Sequence, residues 1–208
     1  MAKKSVSKKI KAVLFDLGKV IVHFDFTPAF KKLSAACPKT PAEIDDYFRR
    51  SGLEVLYDGG KISSKEFYRQ VKKGLGHRLS FAEFKEIWNK IFRPNERVVS
   101  LISKLKSRTR LVLVSNTNAM HFEYILKRYS VLAHFDEHIL SYKEKVRKPD
   151  ERIYRAAIKA CRAKPHEIFY IDDRLDLTEA AGEIGLHTFT YKNNAGELIK
   201  RMKQLEIL

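Results

Sequence analysis

Lys11-Ala12-Val13-Leu14-Phe15-Asp16-Leu17-Gly18 is the stretch on which the fold turns. Ala12 to Phe15 is apolar, unbroken and only strand-length, far short of a bilayer span. A carboxylate follows at once in Asp16, Gly18 loosens the chain, and Val20-Ile21-Val22 resumes the apolar texture. The reading is a short buried strand that ends in a polar turn.

Outward from this strand the texture changes. From Thr27 to Phe92 the apolar residues recur with helical periodicity and no strand pattern intervenes. Helices are expected at Pro28–Ala36, Pro41–Arg50, Ser64–Lys73 and Phe81–Ile91. Ser63 and Ser80 sit at N-cap positions, with Glu66 and Glu83 three residues on, and Gly59-Gly60 breaks the chain. Trp88, Phe67, Tyr68, Phe81 and Phe84 fall at helical spacing and read as the packing of this block. After Pro94, strands and helices alternate. Strands are expected at Arg110–Val114, His138–Leu140, Glu167–Ile171 and His187–Thr190. Helices are expected at Val98–Lys106, Ala119–Tyr129, Glu151–Ala160, Thr178–Ile184 and Ala195–Gln204. Repeated strand–helix units imply an α/β fold, a doubly wound (Rossmann-like) parallel sheet with helices on both faces. The expected division is a core of residues 1–26 and 93–208, with a small helical cap, residues 27–92, inserted after the first strand.

A chain of 208 residues can bury a full core. The net charge of +16 raises nucleic-acid binding or the attraction of small anions. Basic residues do not gather in an aromatic-interleaved run outside Lys3, Lys4, Lys8, Lys9 and Lys11, so specific nucleic-acid binding is not expected. That basic start lacks the apolar stretch and small-residue cleavage site of a secretory signal. Cys37 and Cys161 form no metal-type spacing, and a reducing cytoplasm is the expected compartment, without a membrane span. Oligomeric state is not legible.

Ligands of open α/β sheets bind beyond the carboxyl ends of the strands. There the sequence places Asp16, Ser115-Asn116-Thr117, Lys148 before Pro149, and Asp172-Asp173. Singly, each has a bland reading as turn, helix cap or solvated residue. Together they suit phosphoryl transfer. A carboxylate can attack phosphorus and split one hard displacement into two easier ones. Its charge repels a phosphate dianion, so cations must screen both, and Mg²⁺ does so with hard oxygen ligands. Asp16 is the candidate nucleophile. Asp16, Asp173 and the Gly18 carbonyl are candidate metal ligands. Asp172 fits two roles equally, a ligand through water or a carboxylate orienting Lys148. Lys148 would neutralise phosphate and nucleophile, and Ser115 Oγ with the Asn116 backbone N–H would hold phosphoryl oxygens. His23 reads as a strand-end residue and Asp25 as a cap of the first helix.

Phe15-Asp16-Leu17-Gly18-Lys19-Val20, Val114-Ser115-Asn116-Thr117-Asn118, Arg147-Lys148-Pro149-Asp150 with Ile153-Tyr154, and Ile171-Asp172-Asp173-Arg174 resemble the four motifs of the haloacid dehalogenase superfamily. Within it the chain is similar to bacterial α-D-glucose-1-phosphatase-type enzymes, through Asp16-Leu17-Gly18, Phe24-Asp25-Phe26, Ser115 to Asn118 and the Asp58–Ser63 stretch. The resemblance implies a Mg²⁺-dependent phosphatase acting on a small phosphorylated metabolite, a sugar phosphate among them, through an aspartyl-phosphate. It also implies that the Asp58–Ser63 turn of the cap helps choose the substrate. Three positions depart from the superfamily pattern. Gly18 stands where most of its phosphatases carry a second Asp as acid and base, Leu177 where Asn is frequent, and Lys145, read as solvent-facing, where Gly is common. Two alternatives follow: a non-catalytic or weakly active phosphate-binding protein, and a dehalogenase with Asp16 attacking carbon. The Asp172-Asp173 pair argues against the second, being repulsive without a cation.

Overall fold

The computed structural model describes residues 9–208, so the lysines at 3, 4 and 8 lie outside the described residues. The first half of the chain gives β1 (Ala12–Phe15), β2 (Val22–Phe24), α1 (Thr27–Ser34), α2 (Pro41–Ser51), α3 (Leu53–Asp58), α4 (Ser64–Leu75), α5 (Phe81–Asn89), β3 (Phe92–Pro94) and α6 (Glu96–Leu105). The second half gives β4 (Arg110–Ser115), α7 (Ala119–Arg128), β5 (Glu137–Leu140), α8 (Ser141–Glu144), α9 (Glu151–Cys161), β6 (Ile168–Asp172), α10 (Leu175–Glu183), β7 (His187–Thr190) and α11 (Ala195–Gln204).

The main sheet has five strands in the order β5-β4-β1-β6-β7, and every pairing is parallel. The period-two alternation of a strand divides its residues between two cores. Val13, Phe15, Leu113 and Ile171 enter one cluster, closed by residues of α6, α7 and α11. Leu14, Val112, Val114 and Tyr170 enter the other, closed by α9 and Ala181 of α10. Both faces are covered, which is why these strands are apolar at nearly every position. The fold is therefore the doubly wound α/β arrangement that the alternating texture implies.

Helices α1 to α5 form a cap with an aromatic core of their own. Phe67, Phe84 and Trp88 are fully buried there, and the Phe48 and Trp88 ring centroids lie 4.8 Å apart with the rings tilted by 35°. Ser80 and Glu83 form a reciprocal capping box on α5, while Ser63 accepts from the Glu66 N–H at the start of α4. Each such cap contributes about 1 kcal/mol to its helix. Asp25 accepts from the Thr27 N–H at 2.9 Å and so caps α1.

Three features depart from the sequence expectation. The Thr27–Phe92 block is flanked by an antiparallel pair, β2 with β3, matching Phe24 to Phe92 and Val22 to Pro94. Strands of three residues whose partners lie far away in sequence leave no local periodicity. Helix α3 was not expected, because six residues are too few to show a stripe; Gly52 at φ 67° separates it from α2. Val20-Ile21-Val22 does not continue β1. Lys19 adopts φ 56° and its N–H donates to the Val22 carbonyl, turning the chain on itself while all three apolar residues stay buried.

Candidate active site

Topology creates the site. Strand β1 lies between β4 and β6, and the chain moves outward on one side before returning to build the other, so the strand order reverses at β1. A crevice forms at such a switch point beyond the strand ends. The register then fixes the groups. Phe15 pairs with Leu113 and with Ile171, and the Asp16 N–H donates to the Ile171 carbonyl at 2.9 Å, which sets Asp16 level with Asp172.

Lys148 reaches this level from the loop before α9. Its Nζ donates to Asp16 Oδ1 at 2.7 Å, to Asp172 Oδ2 at 2.6 Å and to the Val114 carbonyl at 3.2 Å. The Lys148 side chain is 1% exposed and that of Asp16 10%. Burial opposes the ammonium, but the carboxylates of Asp16 and Asp172 outweigh it and push the Lys148 pKa up to about 12. Burial also raises the carboxyl of Asp16, against the pull of Lys148 and with the charges of Asp172 and Asp173 adding to the rise. Asp172 accepts from Lys148 and the Tyr170 hydroxyl on Oδ2, and from the Arg174 N–H on Oδ1. Both carboxylate oxygens of Asp172 thus accept from protein donors, one of them from Lys148.

Ligand oxygens of Asp16, Asp172 and Asp173 lie within 4.8 Å of one another. Three carboxylates face one buried ammonium, which leaves two negative charges over, the charge of one divalent cation. An all-oxygen donor set suits Mg²⁺. A Cβ built on Gly18 would lie 3.9 Å from Asp16 Oδ2, so the Gly18 backbone is beside the cluster. Lys19 stands 3.9 Å from Asp173 but is largely exposed.

Ser115 and Asn116 do not cap α7; Asn118 does, accepting from the His121 N–H at 3.0 Å. Asn116 instead braces Lys148. Its Nδ2 donates to the Lys148 carbonyl at 3.0 Å and its Oδ1 accepts from the Lys148 N–H at 2.8 Å. Ser115 is buried at the wall of a cavity of about 170 Å³, which Gly18 and Asn116 also line. Phe24, Phe26 and Phe92 make part of that wall apolar, and Glu54 and Asp58 of α3 make another part acidic.

The cap is fastened over this cavity by polar contacts that single residue types did not signal. Asn118 Nδ2 donates to Asp58 Oδ1 at 3.0 Å, and Ser141 Oγ to the Asp58 carbonyl at 2.5 Å. Lys145 is exposed, as expected, and its Nζ also donates to the Gly60 carbonyl at 2.9 Å. The Asp58–Ser63 turn therefore begins beside the crevice. Glu54 was missed with α3 itself. His23 lies in β2 paired with Arg93 of β3, and Leu177 is buried with its carbonyl accepting from the Tyr154 hydroxyl.

Comparison with known proteins agrees with this geometry. The family model of haloacid dehalogenase-like hydrolases matches residues 10–185. D-ribitol-5-phosphate phosphatase of Bacteroides thetaiotaomicron is 30% identical over 89% of this chain and 94% of its own. Sesquiterpene phosphatase of Aspergillus oryzae is 26% identical over 85% of this chain and 89% of its own. A crystal structure of a haloacid dehalogenase family enzyme from B. thetaiotaomicron, in complex with magnesium and inorganic phosphate, superposes with a TM-score of 0.82 at 26% identity, covering 91% of this chain and 98% of that one. Among the described residues no helix is long and apolar enough to cross a membrane.

Proposed function

This chain belongs to the haloacid dehalogenase-like hydrolases, and from that premise we propose that it is a Mg²⁺-dependent phosphatase that hydrolyses a small sugar or polyol phosphate through an aspartyl-phosphate on Asp16. The observation that carries the reading is Lys148 buried between Asp16 and Asp172, with Asp173 completing a carboxylate cluster at the sheet's switch point. An ammonium fixed there offsets part of the burial that opposes the Asp16 charge and aims the carboxyl without needing substrate to do so. Asp16 attacks phosphorus, and the phosphoryl oxygens lie against Ser115 Oγ and the Asn116 N–H, ahead of α7. Mg²⁺ held by Asp16, Asp173 and the Gly18 carbonyl would supply the positive charge that lets a carboxylate approach a phosphate dianion. Asp172 orients Lys148.

The acidic wall of the cavity supports a hydroxylated substrate, since carboxylates accept hydrogen bonds from sugar hydroxyls. The apolar wall of Phe24, Phe26 and Phe92 would take the carbon face of the same molecule. The narrower likeness to α-D-glucose-1-phosphatases belongs to this same proposal.

The deciding experiment is hydrolysis of 4-nitrophenyl phosphate and a panel of sugar and polyol phosphates, with Mg²⁺ and with a chelator. Metal-dependent release of phosphate is expected. Binding of a phosphate analogue without turnover would replace the proposal with a non-catalytic one, a reading that the Gly18 and Leu177 departures allow. Halide release from a haloacid without metal would replace it with a dehalogenase.

A further inference from the structure

Gly18 leaves one step of this chemistry without an evident agent. When the ester bond to phosphorus breaks, an alkoxide is a poor leaving group and needs a proton as it departs. A titratable side chain on the wall of the crevice can supply it.

Glu54, Asp58 and His121 are the titratable side chains lining the cavity that Leu17, Gly18, Ser115 and Asn116 share. His121 is committed. Its Nε2 lies 3.2 Å from the Trp88 carbonyl and its Nδ1 3.2 Å from Asn118 Nδ2, an arrangement that assigns its proton to Nε2 and directs it at Trp88. Burial lowers its pKa to about 4, so it carries no second proton near neutrality. Asp58 is committed as well, accepting from Asn118 Nδ2 at 3.0 Å and facing Arg147 at 3.9 Å. Glu54 has no hydrogen bond or ion pair among the described residues. Its carboxyl is half-buried on the cavity wall, one helical turn before Asp58.

We propose that Glu54, a residue of the cap, is the general acid and base of the reaction, in the place that Gly18 leaves vacant. The proposal rests on the phosphatase reading above. In the first half-reaction an Asp16 oxygen bonds to phosphorus and the bond from phosphorus to the ester oxygen breaks. The electron pair stays on that oxygen, which takes the Glu54 proton, and the alcohol leaves with Glu54 as carboxylate. In the second half-reaction water bonds to phosphorus and gives one proton to Glu54. The bond from phosphorus to Asp16 breaks, releasing hydrogen phosphate and restoring both carboxyl groups.

The surroundings suit this cycle. Burial, then the neighbouring charge of Asp58, raises the Glu54 pKa to about 7, with Asp45 of α2 adding slightly and Arg147 of the loop before α9 opposing. A carboxyl poised there is protonated often enough to donate and ionised often enough to accept. Placing the acid on the cap also means that only a closed cap is competent, which ties the chemistry to exclusion of water.

The test compares two esters in wild type and Glu54→Gln, both with saturating Mg²⁺. Nitrophenolate leaves without a proton, whereas an alkoxide does not. The kcat/KM of the best alkyl phosphate in the panel should fall about 100-fold more than that of 4-nitrophenyl phosphate. The wild-type alkyl profile should also decline as pH rises through about 7, where Glu54 loses its proton, and this limb should vanish in Glu54→Gln. Equal losses on both esters, or none on either, would overturn the proposal. So would a wild-type enzyme that hydrolyses 4-nitrophenyl phosphate but no alkyl phosphate. A wild type inactive on every ester would instead remove the phosphatase reading.

Discussion

Lys148 Nζ stands 2.7 Å from Asp16 Oδ1, and both side chains are withdrawn from solvent at the carboxyl end of β1. The same ammonium is 2.6 Å from Asp172 Oδ2. A charge is costly to bury alone and tolerable when paired and hydrogen-bonded, so these three side chains depend on one another. On the proposed reading their arrangement links stability to chemistry, because the cation that offsets the burial of the Asp16 carboxyl is also the one that aims it at phosphorus.

Lys148→Met should therefore damage both. Without metal, Asp16 and Asp172 lose their shared partner, and a stability loss of about 3–5 kcal/mol is expected, read by chemical denaturation in a chelator. Added Mg²⁺ should recover part of that stability by replacing the missing charge, but not turnover. A variant as stable as wild type in the chelator would show that the pair is not held as described.

Asp16→Asn keeps shape and hydrogen bonding and removes the attacking charge. Turnover should fall by several orders of magnitude while the far-UV circular dichroism stays unchanged. Near-normal activity in the purified variant would remove Asp16 from the role of nucleophile.

Asp173→Ala should weaken Mg²⁺ binding and activity together, with excess Mg²⁺ restoring part of the rate. Calcium should inhibit the wild type, because its larger and looser shell lets a carboxylate bind through both oxygens and stop attacking. Titration calorimetry with Mg²⁺ alone checks the first expectation without reference to turnover.

Gly60→Ala tests the turn that begins beside the crevice. A Cβ there would lie 2.2 Å from the Tyr142 carbonyl, and φ is 61°, a region that favours glycine. The turn must shift off α8 and loosen its bond to Lys145, at a cost of about 1–3 kcal/mol. The ranking of sugar and polyol phosphates by kcat/KM should change more than the rate on 4-nitrophenyl phosphate. An unchanged ranking would detach this turn from substrate choice.

Much of this molecule is written in short stretches of chain. The apolar run before Asp16 and the later strand–helix alternation carry the doubly wound core, since a strand covered on both faces must be apolar throughout. The carboxylates and Ser115 stand at strand ends that the sequence marks by a change from apolar to polar, and Lys148 stands in the loop before a helix. Their meeting is another matter. Asp16 and Lys148 are 132 residues apart; the parallel register of β1 with β6 sets Asp16 level with Asp172, and Asn116 and the Val114 carbonyl hold Lys148 between them. The sequence left Asp172 between two roles, and its oxygens accept from Lys148, the Tyr170 hydroxyl and the Arg174 N–H. It left Lys145 to solvent, where the fold keeps it exposed, but did not show its bond to the Gly60 carbonyl. Of β2 it showed only the apolar run to Val22 and a strand end at His23, and of β3 and α3 nothing, because three- and six-residue elements are too short to hold a periodic pattern and are stabilised by distant partners. Glu54 lies in that unread helix. Its exposure to the crevice and its want of a partner are properties of packing, which no residue type declares by itself.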